Sequence, residues 1–145
     1  MEDLELLHLA ARRSKLSADG PLGQELKKRG NLTIIEQGRE LSDEQALAKM
    51  READVLLTMW GARSVPPELA EDPGRVKYIL HLTGTCRAYI PIEIIRSEIP
   101  VTNWGDAPAA IVAAGAAALL LAVHKDLRPR SNRVEAGQWA GGGLP

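Results

Sequence analysis

The chain has 145 residues, room for one ordinary core but not for two typical domains. Its 18 Lys and Arg against 19 Asp and Glu leave a net charge of −1, which offers no field to draw nucleic acid or an anionic membrane; three Trp, two Tyr and no Phe are too few rings for base stacking. The single Cys86 excludes an internal disulfide and a multi-cysteine zinc site and fits a reducing, cytoplasmic setting, and the acidic start MEDLELLHLAARRSK is the reverse of a secretory signal.

In chain order, residues 1–13 predict a short amphipathic helix with Leu4, Leu7 and Ala11 on one face, followed by a turn at SADGPLG, 17–23. Residues 1–21 form a weakly determined lead-in. Leu22 to Arg29 reads as a brief helix ended by Gly30, and NLTIIEQ, 31–37, has the β-branched density of a strand. Ser42 followed by Glu44 and Gln45 marks a helix start, with Ala46, Leu47 and Met50 facing inward. ADVLLTMW, 53–60, is a nearly continuous apolar run, the form a strand takes when helices cover both of its faces. GARSVPPELAEDPG is a loop with a turn of helix near its prolines, and RVKYILHLTG, 75–84, is the next buried strand. IPIEIIRSE predicts a short helix and IPVTNW, 99–104, a further strand. Parallel neighbours need a crossover, usually a helix, so this alternation predicts an open α/β sheet.

From Ala107 to Val123 the chain carries no charge and is mostly alanine. Large aliphatic residues are too few for a good bilayer span, so the run predicts a helix surrounded by protein on most sides, with Gly115 and the alanines permitting close approach. Asp106 is available as its cap, with Pro108 near the first turn.

In open α/β sheets ligands collect outside the carboxyl ends of the strands, which directs attention to 60–64, 82–87 and 103–107. In HLTGTCRAYIP, Gly84 lies just past a strand with Thr83, Thr85, Cys86 and Arg87 around it, a pattern that can turn successive N–H groups outward to bind a carboxylate or phosphate. A plain strand-to-loop turn with a solvated arginine accounts for the same residues. Cys86 is five residues from His81, but a lone cysteine beside a buried strand is more often a small core residue than a nucleophile. His8, His81 and His124 have no metal-ligand spacing and predict structural roles. No GxGxxG follows a strand, and Gly141 to Gly143 lack both a preceding strand and a following helix.

The segment VKYILHLTGTCRAYIPIEIIRSEIPVTNWGDAPAAIVAAGAAALLLAVHKDLRPRSNRVEAGQWAGG resembles the D-isomer-specific 2-hydroxyacid dehydrogenases in its order of parts. These are a strand into a glycine loop, a short helix, "IPVTN" into a turn, an alanine-rich helix, and an arginine-bearing stretch with "GQW". The likeness covers roughly residues 40–142. It implies an α/β, flavodoxin-like open parallel sheet, with the first strand hard to find ahead of Leu22 and the sheet therefore incomplete, and with a protruding C-terminal alanine-rich helix. It further implies a substrate-binding domain over 1–106, then an inter-domain and dimerisation segment over 107–145 that leads to a nucleotide-binding domain outside the chain.

The resemblance gives the loop Thr83, Gly84, Thr85, Cys86 and Arg87 the carboxylate of a 2-hydroxy or 2-oxo acid, and places Asn103, Asp106 and Pro108 near the cofactor. Many members have a second glycine and an aspartate where Cys86 and Ala88 stand, and an Asn and a Glu where Pro108 and Ala114 stand. The family's catalytic arginine, acid and histidine would follow Pro145, so no catalytic residue is expected within the chain. NAD or NADP would serve the whole enzyme, with neither bound by this chain alone. A homodimer through the helix 107–127 is implied, with no nucleic acid, membrane or metal. The expectation is thus a substrate-binding piece of an oxidoreductase, cut at both ends and inactive by itself. The alternative is a stand-alone flavodoxin-like module that binds a small anion, or regulates, without chemistry. A phosphoacceptor receiver is disfavoured because Asp54 precedes its strand, whose carboxyl end is Met59-Trp60.

Overall fold

The computed structural model describes residues 4–11 and 16–138; the GQW tryptophan, Trp139, and the glycine tract beyond it lie outside the described residues. The chain divides at Gly105/Asp106 into two compact units. The first is an all-parallel five-stranded sheet built from β1 (Leu4–Leu9), β2 (Gly30–Ile35), β3 (Val55–Thr58), β4 (Tyr78–His81) and β5 (Val101–Thr102), in the order β2-β1-β3-β4-β5. Its connections carry α1 (Pro21–Lys27), α2 (Asp43–Glu52), a 3₁₀ turn (Pro67–Ala70) and α3 (Ile92–Arg96). This is the flavodoxin-like strand order, in which the chain reverses its direction of winding between β1 and β3.

The lead-in contains an interior strand of the sheet, β1, rather than a helix, which corrects both the helix expected over 1–13 and the expected gap at the first strand. β1 pairs with β2 along its whole length, from Leu4 opposite Gly30 to Leu9 opposite Ile35, and on its other edge with β3. Leu6, Leu7, His8 and Leu9 are all buried, as a strand flanked on both edges and covered on both faces requires. Such a run has no period-2 alternation, and its leucines are equally good helix formers.

Two apolar clusters, one on each face, hold the sheet. On one, Ala46 and Met50 of α2, Leu69 of the 3₁₀ turn and Ile94 of α3 pack with Leu7, Leu9, Leu56 and Ile79. On the other, Leu16 packs with Leu6, Leu57 and Met59, with Leu26 of α1 beside them. α2 begins where its sequence says: Gln45 N–H donates to Ser42 Oγ at 3.1 Å, and Ser42 N–H donates to Gln45 Oε1 at 2.9 Å, a reciprocal capping box.

At the amino end of β3, the buried Asp54 carboxylate accepts from Glu5 N–H at 3.0 Å and from Arg75 Nη2 at 2.9 Å, with Lys77 Nζ 2.8 Å from its other oxygen. The hydrogen bond to Lys77, the Glu5 N–H and the charge of Arg75 together outweigh its burial and hold its pKa down at about 2.

The second unit holds α4 (Ala109–His124) and α5 (Leu127–Glu135), with a 65° bend between them and Asp126 left-handed at φ 49°. No residue of α4 is buried within this chain; Ile111, Val112, Leu119, Leu120 and Val123 are exposed. Asp106 does not cap α4, as the sequence had suggested. Pro108 is the capping residue, with no side-chain bond, and Asp106 contributes only its carbonyl, which accepts from Ala109 N–H at 2.8 Å. The helix starts two residues after Ala107, which leaves the Asp106 carboxylate a turn too early to reach the free N–H groups. No single described helix is long and apolar enough to cross a membrane.

Candidate functional site

Three loops leave the carboxyl ends of β3, β4 and β5: Thr58 to Ser64, Leu82 to Ile90 and Thr102 to Gly105. Parallel neighbours bring these ends together, Thr58 standing opposite His81 and Leu80 opposite Thr102.

Under the middle loop lies His81, fully buried. Its Nδ1 is 2.9 Å from Thr58 Oγ1 and its Nε2 2.7 Å from Thr83 Oγ1. A neutral imidazole donates from one nitrogen and accepts at the other, and a hydroxyl can do either, so this arrangement satisfies the neutral ring completely. Burial pushes the His81 pKa below its usual value, and a backbone hydrogen bond at Thr85 opposes part of that shift. The ring also lies 5.5 Å from that of Tyr89, at 31°. Tyr89 Oη accepts from Gly61 N–H at 3.2 Å, and Val65 N–H donates to Tyr89 O at 2.8 Å. The histidine and tyrosine thus tie the β3 and β4 loops into one frame.

Of the residues predicted to bind a carboxylate, Thr83 has its hydroxyl committed to His81 and is buried, and Cys86 is half-buried against the first apolar cluster. Both can serve a ligand only through backbone. With both ring nitrogens of His81 occupied by threonines, the histidine is not placed to activate Cys86. Thr85 and Arg87 are exposed. The N–H groups of Gly84, Thr85, Cys86, Arg87 and Ala88 donate to no described residue, whereas Cys86 O accepts from Tyr89 and Ile90 N–H, each at 2.9 Å. The loop is therefore anchored through its carbonyls while its donors are left over.

The third loop closes on the second. Asn103 Nδ2 donates to Gly84 O, and Asn103 Oδ1 accepts from Gly105 N–H at 3.0 Å, with Gly105 at φ 57°. The Trp104 indole lies over Gly84 so closely that a β-carbon there would sit 2.7 Å from Nε1 and 3.3 Å from Cε2. Trp60, from the first loop, meets Trp104 edge to face, with ring centroids 5.7 Å apart and planes at 89°. The glycine loop and Asn103 stand out in the sequence, but the indole pair does not, since its members stand 44 positions apart and meet only because β3, β4 and β5 are neighbours. Asp106 and Pro108 belong to the second unit.

The switch point between β1 and β3 is bridged by backbone. Ala10 pairs with Ala62, Ala11 N–H donates to Gly61 O at 2.8 Å, and Arg63 Nη1 donates to the carbonyls of Gly38 and Leu41 while Nη2 pairs with Asp43. No trio of His, Cys, Asp or Glu among the described residues is placed to hold a metal.

No protein-family model matches the sequence, and no curated protein matches it. Solved structures do. The chain is similar to an acyclic imino acid reductase (Bsp5) in complex with NADPH and D-Arg, at a TM-score of 0.60 and 19% identity, over 97% of this chain and 43% of that one. It is also similar to a putative D-isomer specific 2-hydroxyacid dehydrogenase, NAD-binding, from Polaromonas sp. JS6 66, at a TM-score of 0.57 and 22% identity, over 99% of this chain and 43% of that one. At these identities the shared property is the fold. The chain spans less than half the length of each structure.

Proposed function

We propose that the chain is the substrate-binding portion of an NAD(P)-dependent oxidoreductase acting on 2-hydroxy or 2-oxo acids, with the β4 loop, Thr83 to Arg87, holding the substrate carboxylate. The observation that carries this reading is the run of N–H groups from Gly84 to Ala88 without partners among the described residues, at the carboxyl end of a parallel strand and beside the exposed Arg87. The kinship of fold supports it: one similar structure holds NADPH and D-Arg, and the other is a putative NAD-binding dehydrogenase specific for D-isomer 2-hydroxyacids.

In the whole enzyme a bound nicotinamide would supply the hydride-transfer chemistry at the carbinol carbon of the acid. The residues of this chain bind and orient the acid, with Asn103 on the cofactor side. In this reading the cofactor and the general acid/base belong to protein outside the chain. The exposed apolar surface of α4, within 107–127, joins two copies and packs on the nucleotide-binding part. A cytoplasmic setting belongs to the same reading, on the lone cysteine.

The test is calorimetric titration of the purified chain with glyoxylate, pyruvate and phenylpyruvate, with and without NADH. Millimolar affinity for at least one acid, lost in Arg87→Ala and indifferent to NADH, is expected, and no heat with any of the three refutes the carboxylate site. NADH-dependent turnover by the chain alone would refute the division of labour. The rival reading, an anion-binding module without chemistry, has less to stand on, because the switch point where such folds hold ligands is bridged by Ala10, Ala62 and Arg63.

A further inference from the structure

The two tryptophans on the loops beside β4 are unusually placed for so aromatic-poor a chain. Trp60 is 53% and Trp104 39% exposed, yet each is held, Trp104 over Gly84 and the two rings edge to face. The pair keeps a contiguous apolar area in water directly beside the unpaired donors of the β4 loop. The charges around it are one-sided. Thr58 to Ser64, Leu82 to Ile90 and Thr102 to Gly105 contain no Asp or Glu and two arginines. Arg63 is committed to Gly38, Leu41 and Asp43, which leaves Arg87 facing solvent. Within these three loops a cationic side chain on the ligand would meet no carboxylate, whereas an anion with a bulky apolar tail would find a complement for both ends.

We propose that Trp60 and Trp104 form an apolar wall beside the β4 loop that selects 2-oxo and 2-hydroxy acids with a large aromatic or branched apolar side chain over small ones such as pyruvate. This rests on the carboxylate reading of the loop and names the substrate class. The acid group lies on the Gly84 to Ala88 donors, and the side chain packs on the indole faces left open by the edge-to-face contact. Trp104 links the two ends, because the ring that shapes the wall is the one that lies on Gly84.

Three probes separate the wall from the loop: phenylpyruvate, pyruvate, and phenylacetone, which keeps the ring and ketone but lacks the acid. Each is titrated into the ¹⁵N-labelled chain, following the indole Nε1–H resonances, assigned with Trp60→Phe and Trp104→Phe. Phenylpyruvate is expected to bind about tenfold more tightly than pyruvate or phenylacetone and to shift the Trp60 and Trp104 indole signals. Trp60→Ala, at an exposed position, is expected to shrink the advantage over pyruvate to below about threefold, and Trp60→Phe to recover part of it.

Equal affinity for phenylpyruvate and pyruvate, or a preference that Trp60→Ala leaves intact, overturns the wall while the loop stands. Equal affinity for phenylpyruvate and phenylacetone, both above pyruvate and both weakened by Trp60→Ala, supports the wall and overturns the carboxylate reading. No binding of any probe overturns both. Indole signals that move with protein concentration and not with probe overturn the ligand wall in favour of self-association.

Discussion

A β-carbon at Gly84 would collide with the Trp104 indole, so Gly84→Val must push the ring off the loop. The expected outcome is a changed Trp104 Nε1–H resonance and a stability loss of about 1 kcal/mol, measured by urea unfolding, since the displaced ring is partly exposed and can move. Asp54 is the opposite case, a carboxylate 2% exposed with three donors around it. Asp54→Ala leaves Glu5 N–H, Arg75 and Lys77 without their acceptor, and should cost about 1–3 kcal/mol in the same assay, the lower end favoured because both cations reach solvent. The two residues differ in how far sequence could expose them. Gly84 announces itself by standing just past an apolar strand beside threonines and an arginine. Asp54 does not, because its cations come from a loop 21 and 23 positions later and converge on it only through the β3–β4 pairing.

At the scale of elements, four of the five strands are legible in their apolar and β-branched runs, and β1 is the exception. α2 is a local object: Ser42 and Gln45 satisfy each other's N–H groups across three residues, and the amphipathic pattern supplies Ala46 and Met50 to the core. Ser42→Ala should therefore cost about 1 kcal/mol by chemical denaturation, with the midpoint lowered and the m-value unchanged. β1 is the contrary example. LELLHL has nothing in its own pattern to separate strand from helix, and its six residues become a strand because β2 and β3 supply partners on both edges. α4 stands between the two. Its alanine content made the helix legible, but its start was set by Pro108 rather than by Asp106.

At the scale of the molecule, two histidines carry a charge-dependent part of the stability. His8 on β1 and His81 on β4 are both fully buried, with β3 between their strands. His8 Nδ1 donates to Leu57 O at 2.8 Å; burial lowers its pKa, and the Leu57 carbonyl and the charge of Glu36 offset only part of that. In both cases the folded pKa lies below the usual 6.5, so the unfolded chain binds more protons than the folded one once pH drops below about 6.5. Stability is fully present above that value and falls as pH descends towards the folded pKa values, by up to about 1.4 kcal/mol per pH unit for each histidine in that window. Asp54 adds a second stage with the same direction. Its folded pKa of about 2 lies below the ordinary 3.8, so its stabilisation holds above about pH 4 and is lost between there and 2. Urea midpoints measured from pH 8 to pH 3 should be flat above pH 7, decline below 6.5, and steepen again below 4. His81→Gln, whose amide can still donate and accept between Thr58 and Thr83, should lower the plateau while flattening the slope just below pH 6.5; an unchanged slope would mean that His81 titrates normally in the fold.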